Sequence, residues 1–123
     1  MMSCRFGFGL LAMACIALTS GAAIARTAFD GNWSVVIVTD RGDCDRASRY
    51  GVRIVDGYLA PEASGFDLQG RVAPNGTLRA VISAGDESAT GFGRLTRTTG
   101  NGVWRGRGDD GYCAGTWEAE RRG

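Results

Sequence analysis

Glycine restricts this chain more than any other residue. Twenty of the 123 residues are Gly and only two are Pro. Each Gly inside a helix costs roughly 1 kcal/mol relative to Ala, so a helical bundle is disfavoured. Many of these glycines keep a strand phase: Gly70, Gly91, Gly93, Gly102, Gly106 and Gly115 fall on the same faces as large apolar residues. Phe66, Leu68, Gly70 and Val72 share one face of an alternating segment, and Asp67, Gln69 and Arg71 take the other. Leu78, Ala80 and Ile82 alternate with Thr77, Arg79 and Ser83; Tyr50, Val52 and Ile54 alternate with Arg49, Gly51 and Arg53. A period of two is the signature of a strand.

Turn signals punctuate these segments at Asp56-Gly57, Pro74-Asn75-Gly76, Gly85-Asp86, Gly100-Asn101-Gly102 and Asp109-Asp110-Gly111. Asn-Gly and Asp-Gly tolerate the positive φ that tight turns require. The first strand, Asn32 to Thr39, is apolar on both faces; the last, Tyr112 to Arg121, gathers Cys113, Gly115, Trp117 and Ala119 on one side. Asp40–Ser48 reads as a helical turn or an irregular loop. The whole predicts an all-β fold, a small antiparallel up-and-down barrel or sandwich of about seven or eight strands. Small barrels alternate small and large residues inside, so the interior glycines favour a barrel whose inside is filled by Trp33, Trp104 and Trp117.

The first residues read as an address. Arg5 supplies a positive start, Phe6 to Leu18 is uncharged and apolar, and Ala23-Ile24-Ala25 is a small-x-small cleavage site. This predicts a signal peptide over 1–25 and a single all-β domain over 26–123, exported to the periplasm or the medium. The apolar run is short of the ~20 residues of a membrane-spanning helix, and no second run follows, so no transmembrane segment is expected in the mature chain. Lipidation at Cys15 is the alternative, but Ala12 stands where a lipobox has Leu.

Export changes the inventory. Cys4 and Cys15 leave with the leader, and Cys44 and Cys113 remain. Two cysteines in an exported chain predict one disulfide. Closing a loop of about 70 residues contributes about 4 kcal/mol in the loop-entropy model, which matters in a domain small enough to be marginal on core burial alone. Loss of Arg5 also leaves the bases equal in number to the 13 Asp+Glu.

The chain has no His, and its 14 basic residues are all Arg. Ser-His-Asp and Cys-His machinery is therefore excluded, as is Schiff-base chemistry on Lys. Glu118 and Glu120 share a strand face and are the nearest approach to a carboxylate pair that could act on a glycoside, but a solvated outer face beside Arg residues is the better reading. Asp40-Arg41-Gly42-Asp43-Cys44-Asp45 is dense in carboxylates without the spacing of a calcium loop. Its Arg41-Gly42-Asp43 triplet matches one that cell-adhesion receptors read, a match short enough to recur by chance. We expect no enzyme activity, no metal and no cofactor.

Arginine distribution is the main surface signal. Arg49, Arg53, Arg71, Arg79, Arg94, Arg105 and Arg107 fall on outward strand positions, while Asp40, Asp43, Asp45, Asp56, Asp86, Asp109 and Asp110 fall in or beside turns. Guanidinium groups grip phosphate and carboxylate bidentately. The partner this suggests is an anionic envelope component, a lipid head group or acidic polysaccharide, or another protein. Alternatively, Arg keeps strands soluble and guards edges. Balanced charge argues against nucleic acid.

Phe29-Asp30-Gly31-Asn32-Trp33 at the start and Gly102-Val103-Trp104 with Cys113-Ala114-Gly115-Thr116-Trp117 at the end resemble a group of small, Gly-rich exported bacterial proteins of unknown function. Gly70-Arg71-Val72, Asn75-Gly76 and Gly91-Phe92-Gly93-Arg94-Leu95 extend the likeness over most of the mature chain. Some members carry haem-utilisation or adhesion labels; the resemblance would leave Tyr50, Tyr58 and Tyr112 as iron ligands here. Gly31-Asn32-Trp33 also resembles the G-x-W of calycins, which implies the first strand of a closed barrel. From these readings we expect a non-enzymatic, envelope-associated or extracellular interaction protein. The alternatives are a small-ligand barrel with its pocket near Trp33, Trp104 and Trp117, or a protease inhibitor presenting a loop.

Overall fold

The computed structural model describes residues 27–109 and 111–123; the expected leader lies outside them. Eight strands form one closed antiparallel barrel. They are β1 (Gly31–Arg41), β2 (Ala47–Val55), β3 (Tyr58–Pro61), β4 (Asp67–Val72), β5 (Thr77–Ala84), β6 (Glu87–Leu95), β7 (Thr99–Gly108) and β8 (Gly111–Arg121). Each pairs with the next in sequence, and β8 returns to pair with β1. Asp40–Ser48 is not helical: β1 runs on to Arg41, an irregular loop follows, and β2 begins at Ala47. The short strand β3 lacks a clear alternation signature; Tyr58↔Arg71 is its one register pair with β4.

The register explains the interior glycines. Trp104 lies between Gly91 on β6 and Gly115 on β8; Trp117 faces Gly102 on β7. Indoles therefore spread into the volume that a neighbouring Cβ would occupy. At Gly102 an added Cβ would stand 2.0 Å from the Phe92 carbonyl oxygen and 2.7 Å from Trp117 Nε1. At Gly115 it would stand 1.8 Å from the Val38 carbonyl oxygen. Each indole N–H is satisfied by a backbone carbonyl: Trp33 by Phe29 at 2.9 Å, Trp104 by Val38 at 2.9 Å and Trp117 by Phe92 at 3.2 Å. Buried polar groups of this kind need such partners.

One end of the barrel is plugged. Residues 27–30 cross it, Phe29 is buried, and Trp33 is only 1% exposed. The Arg121 guanidinium lies 5.4 Å from the Trp33 ring centroid and donates to the carbonyls of Ala28, Arg97 and Asp30. It thereby ties residues 27–30, the β6–β7 turn and β8 together. Asp30 completes the plug: its carboxylate accepts the backbone N–H groups of Asp56 and Gly57 and the Thr27 hydroxyl. Asp56 and Gly57 have φ of 53° and 84°, a double positive that suits a tight hairpin with the strand twist. Burial acts to raise the Asp30 pKa, but these donors outweigh it and hold the carboxyl below its usual value of 3.8.

The disulfide joins Cys44 to Cys113 with a Cα–Cα distance of 6.1 Å, inside the usual range. Cys113 is an inward-facing, buried residue of β8, and Cys44 belongs to the β1–β2 loop. The bond therefore pins that loop to one side of the end opposite the plug. Thr39 Oγ1 donates to the Asp45 carbonyl and the Thr39 N–H to Arg46 at 2.9 Å, which fixes the loop further.

Candidate functional site

The three tryptophans do not fill the whole interior. Trp33 and Trp117 pack the plugged half with Val52, Ile54, Val72, Leu78, Leu95 and Ala119. Toward the other end the inward residues Val35, Ile37, Tyr50, Leu68, Ile82 and Ala89 are only partly buried. Between them lies a cavity of about 80 Å³ whose wall is apolar, floored by the indoles of Trp33, Trp104 and Trp117. It continues into a mouth of about 100 Å³, with which it shares Ile37, Tyr50, Ile82, Ala89 and Trp104. The mouth adds polar groups: Thr39, Asp45, Ser48, Ser83, Glu87, Ser88 and Arg107. Phe66 meets Tyr50 edge-on, with ring centroids 5.0 Å apart.

An apolar floor under a polar rim can hold a small apolar group and orient a polar tail. The size sets a limit. The cup alone, at about 80 Å³, is smaller than the roughly 150 Å³ apolar cavity that admits benzene, so a ring or chain end must reach into the mouth of about 100 Å³ as well; sites for drug-sized ligands run to about 300–1,000 Å³. A haem does not fit this cup. Nor do the tyrosines converge as an iron site requires: Tyr50 points inward, while Tyr58 and Tyr112 stand on the outside beneath Arg71 and Arg107, at 4.9 and 4.6 Å.

All seven arginines singled out from the sequence are exposed. They do not gather into one patch. Arg49 and Arg53 lie on β2, Arg71, Arg79 and Arg94 on consecutive strands β4 to β6, and Arg105 and Arg107 on β7. Glu118 and Glu120 point outward from β8, opposite Val36 and Ser34, and away from the cup. Among the described residues no His/Cys/Asp/Glu group is arranged to hold a metal ion, and no helix is long and apolar enough to cross a membrane.

The alternation of Tyr50 and Ile82 with polar neighbours already placed both inside. Their position near an open end depends on the plug, which has no local signature. Arg121 and Asp30 were missed for the same reason: their partners are far away in sequence. A scan against protein-family models and searches of curated proteins and solved structures find no match.

Proposed function

We propose that this chain is an exported, non-enzymatic binding barrel that holds a small apolar molecule, or the end of an acyl or aromatic chain, in the cup at its open end. One observation carries the reading: an apolar cavity persists beside the tryptophans and opens through a polar mouth. An empty space of this kind forgoes packing contacts that a filled core would make, so its retention favours use. The disulfide supports export, since such bonds persist in oxidising compartments. Absence of His and an apolar cup floor support a binding rather than a catalytic role.

Trp104 lines both cup and mouth, so its fluorescence reports occupancy. Titration with medium-chain fatty acids and single-ring aromatics is expected to shift and quench the emission saturably. Ala89→Phe, which fills the shared wall, is expected to abolish the change while leaving the fold intact by circular dichroism. A flat titration across both ligand series, or an unchanged response in Ala89→Phe, would overturn the reading.

A further inference from the structure

On the outer wall one row crosses four strands as Tyr58, Arg71, Arg79 and Phe92, each the direct register partner of the next. Arg71 and Arg79 thus stand opposite each other, and like charges so placed destabilise a sheet. Neither is neutralised by a carboxylate: among the described residues the ion pair is Arg122 with Glu62, elsewhere on the barrel. Each guanidinium is instead flanked by the ring outside it, Arg71 at 4.9 Å from Tyr58 and Arg79 at 5.5 Å from Phe92. The rings hold the two cations in place through their faces without cancelling their charge. Neighbouring outward positions bring Gln69, Thr77, Val81, Thr90 and a third cation, Arg94; the exposed acids Asp56, two residues before Tyr58, and Asp67, two before Gln69, form no ion pair with either arginine among the described residues.

Edge protection does not account for this pair, because a closed barrel has no edge to protect. The surroundings are also unusually apolar. Val81, Phe92, Val103 and Val38 are exposed; Phe92 faces Val103, Val103 faces Thr116, and Thr116 faces Val38. Thr116 separates Val38 from the rest, so the contiguous exposed apolar patch is Val81, Phe92 and Val103, and such a patch on a small protein marks an interaction surface. Guanidiniums free for a phosphate, beside rings and valines that prefer acyl carbon, match the two layers of a phospholipid interface. A polysaccharide would present hydroxyls, for which valine and phenylalanine have no partner.

We propose that the β3–β7 outer wall docks on an anionic phospholipid surface, with Arg71 and Arg79 sharing a lipid phosphate and Phe92 and Val81 entering the headgroup boundary. The test is co-sedimentation of the purified, oxidised protein with vesicles of phosphatidylcholine alone and of phosphatidylcholine with phosphatidylglycerol. Binding is expected only to the second. Arg71→Gln with Arg79→Gln is expected to lower the partition coefficient about tenfold or more. Arg49→Gln with Arg53→Gln removes equal charge from β2, outside that wall, and is expected to change it little. Thermal melts of both doubles, expected to match the parent, show that the fold is kept. The proposal is overturned by equal binding to both vesicles or by equal losses in the two doubles. Displacement by millimolar inorganic phosphate would assign the pair to a free oxyanion and overturn it too. So would retention on an anionic polysaccharide with the same dependence on Arg71 and Arg79.

Discussion

The plugged and open ends of the barrel are built from the same eight strands with the same inward alternation, yet their side chains are buried to different degrees. At the plugged end Trp33, Ile54, Val72, Leu78 and Leu95 are each 7% exposed or less. At the open end Ile37, Tyr50, Leu68, Ile82 and Ala89 point inward and remain partly accessible. The difference lies in what crosses each opening. Residues 27–30, Phe29 and Arg121 seal one end; the Cys44 loop is pinned to one side of the other. Inward direction alone therefore does not make a core. A segment that caps the barrel does, and where none lies flat the same apolar wall becomes a cup.

Substitutions at the two ends should separate stability from binding. The largest effect is expected at Trp33. Trp33→Ala should cost about 3–5 kcal/mol, read from urea midpoints, because it empties the best-buried site and strips the stacking partner from Arg121. A cost below about 1 kcal/mol would show that the plug is not the stabilising end. Next comes the disulfide. Cys44→Ser with Cys113→Ser should cost about 2–4 kcal/mol and release the mouth loop, so that Trp104 becomes more accessible to acrylamide while Trp33 does not. Equal quenching of both would break the distinction between the ends.

A smaller effect is expected at Asp30. Its carboxyl titrates below 3.8 in the folded protein, so its contribution is complete above about pH 4 and fades as the pH falls through the lowered folded value. Asp30→Asn should cost about 1 kcal/mol at neutral pH, less as acid is added, measured by melts across that range. A cost that grows on acidification would reverse the assignment. The smallest stability effect belongs to the open end, where Ile82→Ala should cost about 1 kcal/mol or less. The same change should weaken ligand-induced quenching of Trp104 severalfold. Loss of several kcal/mol there would mean that the cup is a core after all.

Much of the wall was legible in the sequence, and little of what closes it. The alternation of Tyr50, Val52 and Ile54, and the phase of Gly91, Gly102 and Gly115 with the tryptophans, are local patterns that one strand carries by itself. Asp56-Gly57 announces its own turn, and two cysteines announce their own bond. Asp30 beneath that turn, Arg121 over Trp33, and Phe66 against Tyr50 are meetings between distant segments. Each depends on strand tilt and on which loops fold inward, and no period in the sequence records them. The candidate site shares this split: its three indoles could be named from their phase, while the empty space beside them depends on which end a distant segment caps. The Arg71–Arg79 row needed the register, since alternation placed both outside without placing them opposite each other.

The pairing of β1 with β8 has a consequence for how such a chain comes into being. Strand β1 waits for β8, the strand that also carries the arginine that locks the plug. A chain emerging from its N-terminus holds an open ribbon with two bare margins until β8 has been delivered. Products cut short by even one strand keep those margins, and are the forms that should self-associate.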